Sequence, residues 1–590
     1  MTAFTNPVLP GCHPDPSICR VGEDYYLVTS TFEYWPGLPI FHSRDLVTWR
    51  QIGHAVDRPD QVDLSTVPSS GGLFAATIRH HDGLFFVACT VVHGQGRRGN
   101  FVLTASDPAG PWSDPFWLDD APGIDPSLFF DDDGRAWMTG TRLADPGLWP
   151  GQTDVWLRQM RIEWQPDPAP TPAVRSIDLV GEEYLLWRGA LHGAIWAEGP
   201  HLYRKDGRYY LVAAEGGTGY EHAVSVAAAD AVTGPYLGNP ANPGLTHRHL
   251  GRESSITGVG HADLVEHTDG TWWAVVLGSR PVGETGAEPL GRETFLVSVG
   301  WQNGWPVFAP GTGRVTESID GPLLPGNAVD VRIGVPAGSH DDGAGGGLRH
   351  DAWSLVRTTR EPRVEFFADD PRRFDLHPRP VSLSDVGAPT FVGRRQQHHR
   401  AVFRASLTLW RDTRVRAGLA VRQSESDWIA LSLRPLAARR PSPASASASG
   451  QDRVFQAELH TCIAGVVSVV HAVALSAPPG EADAVCGVVV SLDDDRCTFS
   501  LELGPNTTTS DSGASRPIDR SDGGRASGVV TVGDVNGGFL TSPHAGGFLG
   551  VWLGAFAVSA HTSGDHAPAP VRVTRVSYEP GAEHRAPDRA

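Results

Sequence analysis

At 590 residues the chain is longer than one hydrophobic core can serve, so at least two domains are expected. Its composition, 40% apolar and 20% charged with 68 Gly, 47 Pro and 18 Trp, favours turn-rich β structure over helix bundles. The formal charge of −18 argues against nucleic acid or an anionic membrane as partner, and is indifferent to a neutral substrate such as a sugar.

The first residues, MTAFTNPVLPGCHPDPS, contain no basic start followed by an apolar core, and no later run is long enough to span a membrane. A cytoplasmic protein without a membrane partner is therefore expected. HPDPSICRVGEDYYLVTS opens the first of five related stretches: an acid, Asp15, leads into an apolar run that turns at Gly22. GGLFAATIRHHDGLFFVACT puts Phe74 nine residues before Gly83, and GIDPSLFFDDDGRAWMTG puts Asp125 nine before Gly134. AEGPHLYRKDGRYYLVAAEGG places Glu198 nine before Gly207, and GHADLVEHTDGTWWAVVLG places His261 nine before Gly270; the Asp15 stretch fits in shortened form, with Asp15 seven before Gly22. Asp-Gly between alternating apolar runs signals a hairpin, because Gly accepts the positive φ of a tight turn.

Five strand–turn–strand units spaced by roughly 50–75 residues predict a five-bladed β-propeller, one unit per blade. Radial symmetry then brings Asp15, Phe74, Asp125, Glu198 and His261 to one ring around the axis. SRDLVTWRQIG, ASDPAGPWSDPFW and AADAVTGPYLG follow as outer-strand turns of blades one, two and four, and VSVGWQNGWPVF supplies an outer strand of the fifth. The propeller is predicted over 1–325 and a Gly-rich linker over 326–350. Longer alternating strands, from AVFRASLTLW to GGFLGVWLGAFAVSA, predict an antiparallel β-sandwich over 351–580. Within it, 438–453 and 505–525 read as mobile loops, and 581–590 as a disordered tail. The six cysteines lack zinc-type spacing and read as free buried thiols, with a Cys486–Cys497 bridge as the alternative.

HPDPSI, TSTFEYWPGLPIFHSRDL, GIDPSLF, AEGPHLY, AEGGTGYEHAV, GVGHADLVE, PLGRETFL and WQNGWPV occur in this order and cover most of residues 6–310. Together they resemble glycoside hydrolase family 43, particularly its β-xylosidase and α-L-arabinofuranosidase branches. FVGRRQQHHRAVFRASLTL and RAGLAVRQSESDWIALSL resemble the concanavalin-like sandwich attached to many of those β-xylosidases. The resemblance implies Asp15 as general base, Glu198 as general acid and Asp125 as the residue that orients the acid and raises its pKa. An isolated Asp-Pro is more often a turn device; repeat equivalence and the motif together favour catalysis for Asp15 and Asp125.

By the same resemblance Arg292, in LGRETF, binds substrate, Phe32 walls the pocket, and Phe548 of the sandwich closes it; Trp35 is a weaker candidate. His261 has two readings, a polar plug of the axial channel, which is preferred, and a ligand of an axial calcium. No cofactor is otherwise required. Phe74-Ala75-Ala76-Thr77 departs from the Trp-Ala-Pro-Asp of many β-xylosidases and leans toward arabinofuranosidase-like members. The expected activity is an inverting exo-hydrolase that releases xylose, arabinose or both from short oligosaccharides. The rivals are a non-catalytic carbohydrate-binding propeller and a retaining fructosidase. Homo-oligomers are an open alternative to a monomer.

Overall fold

Short apolar runs bounded by Gly, Pro and Asp fold almost wholly into strands, and a computed structural model describes residues 3–165, 173–190, 193–320, 353–436, 453–477, 485–503, 508–511, 528–560 and 567–581. The predicted linker 326–350 lies outside the described residues, as do 438–452, most of 505–525 and the tail from 582. Contacts divide the chain into two compact units, 1–281 with 291–335 and 282–290 with 336–590. The segment Val282–Leu290, inside the predicted propeller range, thus groups with the second unit.

The first unit is a five-bladed propeller. Its innermost strands are Ser17–Val21, Thr77–His81, Ile124–Phe130, Glu198–Lys205 and Thr257–Glu266, and each begins an antiparallel sheet of four or five strands. Each innermost strand packs against those of its two neighbours, and the fifth returns to the first. The circle is fastened by the N-terminal strand Ala3–Thr5, which pairs with Ser318–Asp320. Asn6 adds side-chain bonds to the backbone of Leu296, donating to its carbonyl at 2.9 Å and accepting from its N–H at 3.0 Å.

The nine-residue spacing of blades two to five conceals different turns. Blades one, two and four turn in two residues, pairing Val21 with Asp24, His81 with Leu84 and Lys205 with Arg208. Blades three and five turn in five, pairing Phe130 with Ala136 and Glu266 with Trp272. Blades three and four share a one-residue register shift despite their different turns, at Ile124/Ser127 and Glu198/His201, and blade five shifts twice, at Thr257/Gly260 and Gly260/Asp263.

Blades hold one another through side chains. Among the described residues, five apolar clusters fill the gaps between neighbouring blades, with Ile40 and Phe101 between one and two, and Phe86 and Trp156 between two and three. Trp137 and Leu211 lie between three and four, Val226 and Phe295 between four and five, and Leu27 and Val275 between five and one. Fully burying one such aliphatic or aromatic side chain contributes about 1.5–3 kcal/mol.

The second unit is a sandwich of two antiparallel sheets. One sheet runs from Thr508–Asp511 through Val466–Ala477, Arg453–Ile463, Trp428–Pro435, Val415–Arg422, Trp552–Ser559 and Thr390–Arg395 to Ser354–Val356. The other runs from Val364–Phe367 through Asp370–Leu376, Val571–Pro580, Arg400–Thr408, Val485–Asp493 and Arg496–Leu503 to Val529–Asn536. The alternation RAVFRASLT buries every second residue, including Ala401, Phe403, Ala405 and Leu407, in one continuous core. The run GGFLGVWLGAFAVSA becomes a strand only at Trp552. All six cysteines are free and buried. Cys486 stands opposite Leu503 and Cys497 opposite Leu492, so the two thiols do not face each other across their strands.

Candidate active site

The segment ahead of the first blade runs beside the fifth: the His13 N–H donates to the Arg292 carbonyl at 3.0 Å, and the Thr294 hydroxyl donates to the His13 carbonyl at 2.7 Å. This antiparallel contact delivers Asp15 to Arg292 across 277 residues of sequence, and Arg292 Nη1 donates to Asp15 Oδ1 at 2.7 Å. The same nitrogen donates to Thr218 Oγ1 at 2.9 Å, and the Ser30 hydroxyl donates to Asp15 Oδ2 at 2.6 Å. The base candidate is therefore held at both oxygens.

Asp15, Asp125 and His261 share a left-handed backbone, with φ 55°, 55° and 51°. For residues other than glycine this costs about 1–3 kcal/mol each, and it persists where the surroundings over-determine it. In the fourth blade Gly199 takes the conformation, with φ 54°, and Glu198 stands one residue earlier. Gly199 is needed twice over. Its N–H donates to Asp125 Oδ2 at 3.0 Å, joining the third and fourth blades directly beside the acid. The His261 ring lies so close that a Cβ on residue 199 would meet its Cε1 at 2.7 Å.

Asp15, Asp125 and His261 are buried, and Glu198 is partly exposed. Electrostatics separates the three acids. Burial alone would push Asp15 up, but Arg292, His261 and the Ser30 hydrogen bond outweigh it and hold the carboxyl below its ordinary value of 3.8. Glu198 is pushed well above its ordinary 4.5, first by loss of solvent and then by the negative fields of Asp125 and Asp15. Asp125 is also pushed up, first by burial, with Asp15 adding to the shift. The two carboxyls are thus shifted in opposite directions, Asp15 down and Glu198 up, the division that acid–base hydrolysis uses.

Phe32 and Phe74 form an edge-to-face pair with centroids 5.5 Å apart, and the Arg292 guanidinium lies 5.8 Å from the Phe32 ring. The loop carrying Phe32 is pinned to the second blade by reciprocal bonds with Leu73, at 2.9 and 3.0 Å. Gly72, with φ 88°, allows that approach, since a Cβ there would meet the Phe32 carbonyl oxygen at 2.4 Å. Trp35 is half-buried in the two-residue strand Tyr34–Trp35. Phe548 belongs to the second unit, ahead of strand Trp552–Ser559.

Sequence reasoning did not single out Ser30, Thr218 or His222. His222 donates through Nδ1 to the Gly258 carbonyl at 3.0 Å, and burial pushes its pKa down to about 3, leaving it neutral. Thr218 and His222 lie within AEGGTGYEHAV, where the motif itself is the only sequence signal. Among the described residues no three His, Cys, Asp or Glu side chains gather as metal ligands. The His261 imidazole offers calcium a nitrogen donor where the ion prefers oxygen, so a calcium there would take most of its ligands from water and not from a protein cage.

The family model described as "Glycosyl hydrolases family 43" matches residues 4–306, and the one described as "Beta xylosidase C-terminal Concanavalin A-like domain" matches 349–503. A protein from Butyrivibrio fibrisolvens named xylosidase/arabinosidase is 43% identical over 412 residues, covering 69% of this chain and 75% of that one. A non-reducing end alpha-L-arabinofuranosidase from Bacteroides ovatus is 39% identical over 397 residues, covering 67% and 68%. Among solved structures, a xylan beta-1,4-xylosidase from Bacillus halodurans superimposes with a TM-score of 0.76 at 27% identity, covering 98% of this chain and all of that one.

Proposed function

The chain belongs to glycosyl hydrolases family 43 and is a glycoside hydrolase, and from that premise we propose that it is an inverting exo-hydrolase releasing pentoses, xylose first, from the non-reducing ends of short xylo- and arabinoxylo-oligosaccharides. The observation that carries this reading is the opposed tuning of Asp15 and Glu198, one held ionised by Arg292 and the other kept protonated by desolvation and neighbouring charge.

In this reading the Asp15 carboxylate takes a proton from a water molecule, which attacks the anomeric carbon from the face opposite the leaving group. Glu198 gives its proton to the departing glycosidic oxygen as the bond breaks, so anomeric configuration inverts. Asp125, bonded to the Gly199 N–H, fixes the peptide next to Glu198, and its field keeps the acid protonated. Arg292 orients Asp15 and presents its guanidinium to sugar hydroxyls, while Phe32 and Phe74 wall the pocket. His261 plugs the axial channel, and no step is routed through a cation.

A second reading, arabinofuranosidase as the main activity, is favoured by Phe74 and Thr77 in place of Trp and Asp. The arabinofuranosidase name of the Bacteroides ovatus relative points the same way. Relative kcat/KM on xylobiose and on an arabinose-substituted xylo-oligosaccharide separates the two. Proton NMR of the first-formed anomer tests inversion, and a retained configuration would overturn it. We place the enzyme in the cytoplasm, acting on imported fragments; cell fractionation checks this.

A further inference from the structure

The innermost strands of neighbouring blades belong to separate sheets, and backbone bonds that cross between blades, such as those of Phe32 with Leu73, lie outside those strands. The heights of the innermost strands along the axis, and hence the placement of carboxylates carried by different blades, must be set by side chains.

One buried polar cluster deeper along the axis touches all five innermost strands. Asp263 of the fifth blade accepts from the Ser17 hydroxyl at 2.7 Å and the Ile18 N–H at 3.0 Å in the first. It accepts from both terminal nitrogens of Arg79 in the second blade, at 2.9 and 3.2 Å, and from the Tyr203 hydroxyl in the fourth. Arg79 also donates to His201 Nδ1 at 3.1 Å, and the Ser127 hydroxyl of the third blade reaches the same nitrogen at 2.9 Å. A guanidinium only donates, so Nδ1 is the acceptor and the imidazole proton sits on Nε2, which is 3.9 Å from Asp263 Oδ2.

The members stand next to the ring. Ser17 is two residues past Asp15, Ser127 two past Asp125, His201 three past Glu198 and Asp263 two past His261. Asp263 is fully buried, and Ser17, Ser127 and His201 are nearly so.

We propose that Ser17, Arg79, Ser127, His201, Tyr203 and Asp263 form a positioning set that locks the five innermost strands at one height and so holds Asp15 and Glu198 at the separation hydrolysis needs. The inference rests on the hydrolytic reading above. Its members touch no substrate: Ser17, Ser127, His201 and Asp263 act through ring residues two or three positions away, and Arg79 and Tyr203 act through their bonds to Asp263. The set adds little net charge beneath the acids. Burial would push Asp263 up, but Arg79 outweighs it and keeps the carboxylate ionised. Arg79 stays a cation, and burial holds His201 neutral, with its pKa pushed down to about 3. Burial, with Asp263 adding to it, pushes the Tyr203 phenol well above its ordinary value, and Cys19 beside the pair remains a thiol, pushed up to about 12 by burial.

Three substitutions test it on the full chain, each checked for folding by thermal melting and assayed on p-nitrophenyl xyloside and arabinofuranoside. Asp263→Asn keeps the shape but leaves the Arg79 cation unbalanced. Its kcat is expected to fall about tenfold or more, since small misplacements of catalytic groups cost rate rather than ground-state binding. KM should stay within about twofold, and the alkaline limb of the kcat/KM profile should move to lower pH because the cation favours ionised Glu198. Tyr203→Phe removes the hydroxyl that donates to Asp263 and accepts from the Leu264 N–H, and Ser127→Ala removes the bond to His201; neither changes a formal charge. They should lower kcat by about threefold without moving that limb, and they carry the test if Asp263→Asn does not fold. Folded Tyr203→Phe and Ser127→Ala with unchanged kcat, in an enzyme whose wild type is active, overturn the positioning role alone. A wild type that cleaves neither glycoside overturns the proposed function and this inference with it.

Discussion

The two units bury their interiors on opposite plans. The sandwich has one continuous apolar core fed by alternating residues from both sheets. The propeller divides its apolar packing into five inter-blade clusters and fills its axis with carboxylates, histidines and arginines. Charge is expensive away from water unless it is paired or hydrogen-bonded, so the axis is stable only because Arg79 meets Asp263 and Arg292 meets Asp15. The unit without such a stack can be optimised for packing alone. The unit with it carries the left-handed Asp15 and Asp125, to which the proposed hydrolysis assigns roles, and the left-handed His261 beside them.

The contrast breaks most sharply at the acid. Glu198→Gln leaves every apolar contact in place and should lower kcat/KM on xylobiose by about 10²–10⁴-fold, with a smaller loss on p-nitrophenyl glycosides, whose leaving group needs less protonation. Unchanged turnover on both would remove Glu198 from the role of acid. The complementary change is Leu431→Ala, at a fully buried position of the sandwich core. It should cost about 2–5 kcal/mol of that unit's stability, read by denaturant unfolding.

The pH profile sharpens the comparison further. Asp15 has a folded pKa below 3.8, so its stabilising contribution is present above that ordinary value and lost as pH falls through the folded one. Glu198 is shifted up, so its contribution is full below 4.5 and lost as pH rises through its folded value. The kcat/KM profile should accordingly be a broad bell, its acid limb below 3.8 and its alkaline limb well above 4.5. An alkaline limb at an ordinary carboxylate pKa would contradict the assignment. The smallest effect is expected for Phe74→Trp, which enlarges one wall of the pocket. It should raise the xyloside-to-arabinofuranoside ratio of kcat/KM by about threefold, comparable to a small pocket change.

Much of the site was legible because repetition is a property of sequence. The spacing from Asp125, Glu198 and His261 to their turn glycines marked equivalent strands, and the resemblance supplied roles for Asp15, Asp125 and Arg292. Ser30 and Thr218 escaped because a hydroxyl that orients a carboxylate or a guanidinium has no spacing signature. Arg79, His201 and Asp263 escaped because each belongs to a different blade, and only closure of the circle brings them together. The count of nine residues also hid the two turn lengths, since a longer turn after a shorter stretch of paired strand gives the same number.

Local alternation, turn residues and repeat period were enough to set five blades, a sandwich and a ring with acids on separate blades, because they depend on neighbours along the chain. Which acid stays protonated, what pins Asp15, and how the blades are held at one height depended on contacts such as Asp15 with Arg292 and Arg79 with Asp263. Those partners are 277 and 184 residues apart, and the field each feels exists only once burial has removed the water between them.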